Sequence, residues 1–197
     1  MIVKDRRART HRQLLDAAMT LCGSGRIPSV AEVGEAAGVS RATAYRYFPS
    51  RSKLITEVVG RSLDPVRRYR PAASDGWQRV RELFAQTFPR FKEFEPHMRA
   101  ALQLALEHGA LARAGKLTEE RYARGFRRDI LRRAASPLRR QLGGERFERL
   151  LRALSLIYGI ETYVVLKDIW GLNDGEVEGI TQWVLDALIT ASLREIA

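Results

Sequence analysis

One cysteine stands in the 197 residues, so no internal disulfide can form and a cysteine-based metal site is not expected. Cys22, small and apolar within a helical pattern, is read as core. Histidine is nearly as scarce. His11, His97 and His108 lack metal-ligand spacing, and neither a Ser/His/Asp grouping nor a glycine-rich phosphate loop after a strand is found. Catalysis, a metal ion and a bound cofactor are therefore not expected. No apolar run approaches the length that spans a bilayer, so a membrane partner is not expected either. The first dozen residues carry Lys4, Arg6, Arg7, Arg9 and Arg12 with no apolar block behind them, so no signal peptide is read and the expected address is the cytoplasm. Sustained period-two alternation of β-branched residues is also missing, which leaves little room for sheet.

Positive charge is abundant. Thirty-four Lys and Arg against 23 acids give a net +11 and a pI near 10.5, so a polyanion is the first partner to suspect. The charge is unevenly spread. Residues 1–53 hold ten Lys or Arg against four acids, a local +6, whereas residues 145–197 hold five against nine, a local −4. The N-terminal end can face phosphate and the C-terminal end cannot. A hydrophobic share of 45% with 29% charged residues is the balance of a chain that buries a core.

The apolar spacing is helical nearly throughout, predicting an all-α chain of about nine helices. Leu14, Ala17, Ala18 and Leu21 mark a first helix over about 5–22, stopped by Gly23 and Gly25. Ser29 and Glu32 form a capping box for a short second helix that Gly38 closes, and Ser40 caps a third that Pro49 ends at Phe48. A fourth helix starts at the Ser50 cap and runs to about 64; residues 65–76, with two prolines, read as the boundary beyond it. Phe84, Phe88 and Phe91 mark the next helix before Pro96, and Met98, Leu102 and Ala105 another ending near Gly109. Thr118 is expected to open a seventh, with Tyr122, Phe126 and Ile130 spaced by four. After Gly143 and Gly144 a long eighth is expected to reach Trp170, where Gly171 takes a left-handed cap and Leu172 folds back. Asn173 and Glu176 box the start of the ninth.

Two short helices joined by a turn at Gly38, within a basic region, are the layout of a helix-turn-helix over residues 29–48, whose second helix enters the major groove. At about 100° per residue, Ala44 and Phe48 fall on an inward face and Ala42 and Arg46 on the outward one, flanked by Thr43 and Tyr45. Ala42 lets the backbone approach base edges, and Arg46 offers a fork to guanine. Thr43, Tyr45 and Tyr47 carry hydroxyls suited to phosphate oxygens, and the N-terminus of the fourth helix, with Arg51 and Lys53, is a further phosphate seat. The arginines at 6, 7, 9 and 12 read equally as a DNA-reaching arm or as a solvated terminus.

The run Gly38-Val39-Ser40-Arg41-Ala42-Thr43-Ala44-Tyr45-Arg46-Tyr47-Phe48-Pro49-Ser50-Arg51-Ser52-Lys53-Leu54 closely resembles the DNA-binding signature of the TetR family of bacterial regulators. The resemblance implies a DNA-binding domain over 1–50 and a helical effector-binding and dimerisation domain over 51–197, the helix from 51 to about 64 linking them. It implies a homodimer on a pseudo-palindromic double-stranded operator, most often a repressor released by a small-molecule effector. Ser40, Arg41, Ala42, Thr43, Tyr45, Arg46, Tyr47 and Lys53 are the expected DNA-binding residues, with Tyr45, Tyr47 and Lys53 on phosphates. Two departures stand out. Gly34 replaces the usual Ala, at a cost of up to about 1 kcal/mol in helix propensity, and Ala44 replaces a larger apolar residue, so a looser recognition helix is expected.

For the body, the resemblance suggests that Phe84, Phe88, His97, Met98, Tyr122 and Phe126 line an effector pocket, although each taken singly also reads as core. The basic stretch holding Arg113, Arg121, Arg124, Arg127, Arg128, Arg132 and Arg133 reads mainly as a solvent face, with attraction of an anionic effector as the alternative. The last two helices are apolar beyond what one buried face needs, which points to a second copy covering Leu154, Ile157, Tyr158, Val165, Trp183 and Ala187, the alternative being a thick core within one chain. A nonspecific DNA-packaging protein shares the charge and is separated from a regulator by sequence preference.

Overall fold

The computed structural model describes residues 2–124 and 126–195, with side chains from residue 6. Eleven α-helices and one π-helical segment follow each other, and no strand occurs among the described residues. They are α1 (Ile2–Gly23), α2 (Val30–Ala36), α3 (Arg41–Tyr47), α4 (Arg51–Ser62), α5 (Asp64–Arg68) and α6 (Gly76–Glu93), then α7 (Glu95–Arg113), α8 (Phe126–Ala135), α9 (Leu138–Ile157), α10 (Ile160–Tyr163), π-helical turns over Val164–Ile169, and α11 (Asp174–Arg194). The chain forms two compact units, one of Met1–Leu63 with Phe94–Ala123, the other of Asp64–Glu93 with Arg124–Ala197.

In the first unit the expected caps are all present. Ser29 Oγ accepts from the Glu32 N–H at 3.2 Å while Glu32 Oε2 accepts from the Ser29 N–H at 2.8 Å, closing the box. Ser40 Oγ caps α3 on the Thr43 N–H, and Ser50 Oγ caps α4 on the Lys53 N–H. Gly38 takes φ +64°, which lets the Val39 N–H reach back to the Gly34 carbonyl at 2.8 Å. Leu14, Ala18, Val33, Phe48, Leu54, Ile55 and Val58 share one core with Leu104 of α7. That sharing is why the division expected at residue 50 does not coincide with the compact units. α7 packs on both α1 and α4, and His97 Nε2 lies 2.9 Å from the Met19 carbonyl. Burial pushes the His97 pKa below its ordinary value against the pull of that hydrogen bond, so the ring is a neutral donor here.

In the second unit α6, α8, α9 and α11 pack against each other, and Trp77 Nε1 of α6 donates to Asp186 Oδ1 of α11 at 2.7 Å. Several elements depart from expectation. The boundary expected over 65–76 contains α5, with Pro65 in its first turn, where a missing N–H costs nothing. The helix expected from Thr118 starts only at Phe126, because Glu119, Glu120 and the Tyr122 N–H bond to side chains of α4 and α7 instead. The long helix expected to reach Trp170 breaks at buried Gly159, where a side chain would collide with the Arg127 guanidinium, and resumes as α10 and the π turns. Gly143, at φ +74°, kinks α9. At the C-terminal end expectation and structure agree: Gly171 takes φ +67°, the Leu172 N–H reaches the Leu166 carbonyl at 3.1 Å, and Asn173 with Glu176 boxes α11.

The two departures in the helix-turn-helix belong together. Gly34 is buried, and a Cβ there would stand 3.0 Å from Ala44 Cβ and 3.1 Å from the Val39 carbonyl. Two small residues thus bring the backbones of α2 and α3 close, in place of the looser packing expected. Gly34→Val is expected to destabilise the protein by about 1–3 kcal/mol through overpacking, whereas Gly109→Val, which meets nothing within 4 Å, is not. Calorimetric unfolding of both variants checks this, and a Gly34→Val protein as stable as the parent would contradict the close approach.

Candidate nucleic-acid interface

α3 is anchored from one side. Ala44 and Phe48 are fully buried, while Arg41, Ala42, Tyr45 and Arg46 are exposed and Thr43 and Tyr47 partly so. The outward face is the one the helical wheel predicts. Ser40, also exposed, donates from Oγ to Thr43 Oγ1 at 3.0 Å, which joins cap and first turn. The Arg41 and Arg46 guanidiniums lie 5.7 and 5.8 Å from the ring centroids of Tyr45 and Tyr47, so each arginine rests on a neighbouring tyrosine.

Beside this face lies an open groove of about 750 Å³ lined by Arg7, Ala8, His11, Arg12, Leu15, Arg46, Tyr47, Glu57 and Arg61. His11 Nε2 is 2.8 Å from Glu57 Oε2, and its ring packs 5.3 Å from that of Phe48, tying α1 to α3 and α4. Arg61 pairs with Asp16. Arg7 and Arg12, left open as arm or solvated terminus, line the same concave wall as Arg46.

The N-terminal turn of α4 differs from expectation. Arg51 is engaged internally: its Nη2 stands 2.8 Å from both Glu107 Oε1 and Glu119 Oε1, and its Nε donates to the same Glu119 oxygen at 3.0 Å. Burial works against a charge on Glu119, but Arg51, and then His108, hold its carboxyl below the ordinary range. His108 is fully buried and accepts the Tyr122 N–H at Nδ1, 3.1 Å away, so Nε2 carries the proton facing Glu119. Lys53 remains half exposed, 3.3 Å from Glu120 Oε1. These acidic partners were missed in the sequence because they lie far along the chain from α4.

In the second unit Phe84 and Phe88 line a small cavity with Thr87, Phe91, Ile157, Tyr158 and Gly159, of about 10 Å³ and so with room for about one water. Thr87 Oγ1 and Tyr158 Oη share a hydrogen bond of 2.8 Å, and burial pushes the Tyr158 phenol above its ordinary pKa. The other expected effector residues are elsewhere. Phe126 is half-buried beneath the Arg67 guanidinium, while His97, Met98 and Tyr122 belong to the first unit. Met98 is buried on α7 and Tyr122 joins the first unit's core. The basic stretch is partly internal as well: Arg124 and Arg127 bind Glu161, and Arg132 binds Glu148.

A different surface of this unit is apolar and exposed. Trp183 is 72% exposed and Val165 45%, and Ala187 is open too. Ile157 is half-buried. Leu154 and Tyr158, expected to meet a partner, are instead buried in the protomer's own core, since they fall on the side of α9 that faces inward. Leu156, Ile169, Trp170 and Ile180 are exposed large apolar residues that the expected set omitted. The three-to-four spacing of Ile180, Trp183 and Ala187 along α11 was the available signal.

Residues 14–58 match the family described as bacterial regulatory proteins, tetR family. Over 49 residues the chain is 41% identical to the HTH-type transcriptional repressor LfrR of Mycolicibacterium smegmatis, covering 25% of this chain and 26% of that protein. The match thus spans about a quarter of that relative's length. A TetR transcriptional regulator from Rhodococcus sp. RHA1 shares the fold with a TM-score of 0.63 at 21% identity, over 94% of this chain and 98% of the other. A tetR-family transcriptional regulator from Streptomyces coelicolor gives 0.60 at 23% identity, over 95% and 83%.

Glu161 yields a pH prediction for the second unit. Burial favours its neutral acid, yet Arg124 and Arg127 outweigh this and hold its pKa at about 2, against 4.5 for the free group. A depressed folded-state pKa contributes stability that is present above pH 4.5 and is lost as pH falls toward 2. Glu161→Gln should therefore lower the thermal midpoint at neutral pH and flatten its fall between those two values. Parallel melts of variant and parent across that range check this; identical slopes would show that the pair does not couple to folding.

Proposed function

We propose that the chain, whose residues 14–58 match the tetR family of bacterial regulatory proteins, acts as a homodimeric transcriptional regulator that represses by occupying a pseudo-palindromic operator and leaves it when a small-molecule effector binds. The observation that carries this reading is the exposed face of α3, small and cationic at Ala42 and Arg46, beside a groove lined by further arginines. Ser40, Arg41, Ala42 and Arg46 then approach base edges, and Thr43, Tyr45, Tyr47 and Lys53 grip phosphates. Repression is favoured over activation because the relative sharing the motif is itself described as a repressor. The work is placed in the cytoplasm, where the operator is.

The exposed apolar residues of the second unit support dimerisation. Burying two tryptophans, Trp170 and Trp183, against a second copy removes from water a surface that a monomer rarely carries. DNA binding is assigned to residues 1–50, and effector binding and dimerisation to 51–197. For the effector we favour the aromatic cavity of the second unit, whose lining of Phe84, Phe88, Phe91 and Tyr158 suits an apolar molecule. Its small volume requires side chains to move on binding, and such a movement biases one head spacing over another.

Selection of bound duplexes from random sequence should return a symmetric site with half-sites one helical turn or a multiple apart. Binding without any enrichment points to a packaging protein instead. Arg46→Ala should weaken selected sites by roughly 5- to 150-fold and broaden base preference at one position, whereas Lys53→Ala should weaken every duplex alike. Independently, Trp183→Glu should convert dimer to monomer in sedimentation velocity. A Trp183→Glu protein that stays dimeric would remove α11 from the interface.

A further inference from the structure

Three consecutive residues of α4 hold one acidic segment. Arg51 binds Glu119, the Ser52 Oγ donates to the Glu120 carbonyl at 2.7 Å, and Lys53 pairs with the Glu120 carboxylate. Glu107 and His108 of α7 grip the segment from the other side, through Arg51 and through Glu119 and the Tyr122 N–H. The two ion pairs differ in character. Arg51 and Glu119 are only 29% and 26% exposed, and Arg51 satisfies two carboxylates at once, so this pair is a fixed part of the packing. Lys53 and Glu120 are 53% and 59% exposed and joined by one contact of 3.3 Å, so this pair can open.

We infer that Glu120 is an internal competitor for DNA phosphate, held in place by Ser52 and Arg51, so that Lys53 must exchange one anion for another when duplex binds. The inference rests on the DNA-binding reading above and concerns a residue some distance along the chain from the recognition motif. Its chemistry follows from charge. A carboxylate already neutralises the ammonium, so the phosphate gains less than from a free lysine, and the displaced Glu120 is left close to a phosphate of like sign. On release Glu120 also takes up a cation, which offsets the counterion freed from the DNA. Ser52 is almost fully buried, so the backbone that carries Glu120 keeps the carboxylate within reach of Lys53 throughout.

The test uses the full chain and a labelled 30-base-pair duplex of random sequence, with affinity read by fluorescence anisotropy at several salt concentrations. Glu120→Gln is expected to tighten binding about 2- to 5-fold and to steepen the dependence of log affinity on log salt by up to about 0.9. Both changes should vanish in the Lys53→Ala background, where no ammonium remains to be released. Circular dichroism melts confirm that both exposed-site variants fold. No tightening, or tightening that persists without Lys53, overturns the inference and leaves DNA binding intact, the latter marking a general charge effect. If the parent chain bound no duplex at all, the DNA-binding reading would fall and this inference with it.

Discussion

A helix of seven residues does not hold together by itself in water, where even good helix formers need about 12–15. α3 exists as a helix because its inner side, Ala44 and Phe48, is locked into a core supplied by α1, α2, α4 and α7. Burial of a phenylalanine is worth about 1.5–3 kcal/mol, enough to set which side of so short a rod faces out. Everything proposed for function depends on that anchoring. With Phe48 inside, Ala42 and Arg46 have nowhere to point but outward; with Gly34 opposite Ala44, α2 and α3 sit close enough to act as one rigid piece. The serine caps before α2, α3 and α4 satisfy the backbone donors that such short helices leave open in unusual proportion.

Net charge describes attraction at a distance, but the cations that matter in contact are those left open or held by a pair that can open. Arg46 lies open on α3 and faces the arginine-lined groove; Arg51 does not, because two carboxylates hold it. The same distinction runs through the basic stretch near α8, where arginines that look like a solvent face spend their charge on Glu161 and Glu148. A positive sequence therefore overstates the surface it offers to a polyanion, and the acids that reduce it sit far away along the chain.

The second unit follows a different logic. Its aromatic interior is nearly full, with the Thr87 and Tyr158 hydroxyls sharing a hydrogen bond, so the effector proposed for it could enter only by rearrangement. Gly159 lines that interior and interrupts the helix beside it. It separates α9 from α10, lies beside the cavity, and is followed by α10 and then by π-helical turns, a rare form of backbone. The exposed tryptophans lie just past those turns and on α11. Cavity wall and proposed dimer surface are thus close along the chain.

Local chemistry is legible in the sequence itself. The caps at Ser29, Ser40 and Asn173, the left-handed glycines at 38 and 171, and the outward face of α3 all follow from interactions within a few residues, which spacing and side-chain type suffice to specify. Tertiary structure alone decided the rest. It drew residues 118–124 out of a helix they had every local reason to enter, placed His97, Met98 and Tyr122 in the first unit, and turned Leu154 and Tyr158 inward. Each of these outcomes depends on a partner tens of residues distant, such as Arg51 for Glu119 or Thr87 for Tyr158. Periodicity reports which residues leave water; it carries no record of which neighbour receives them.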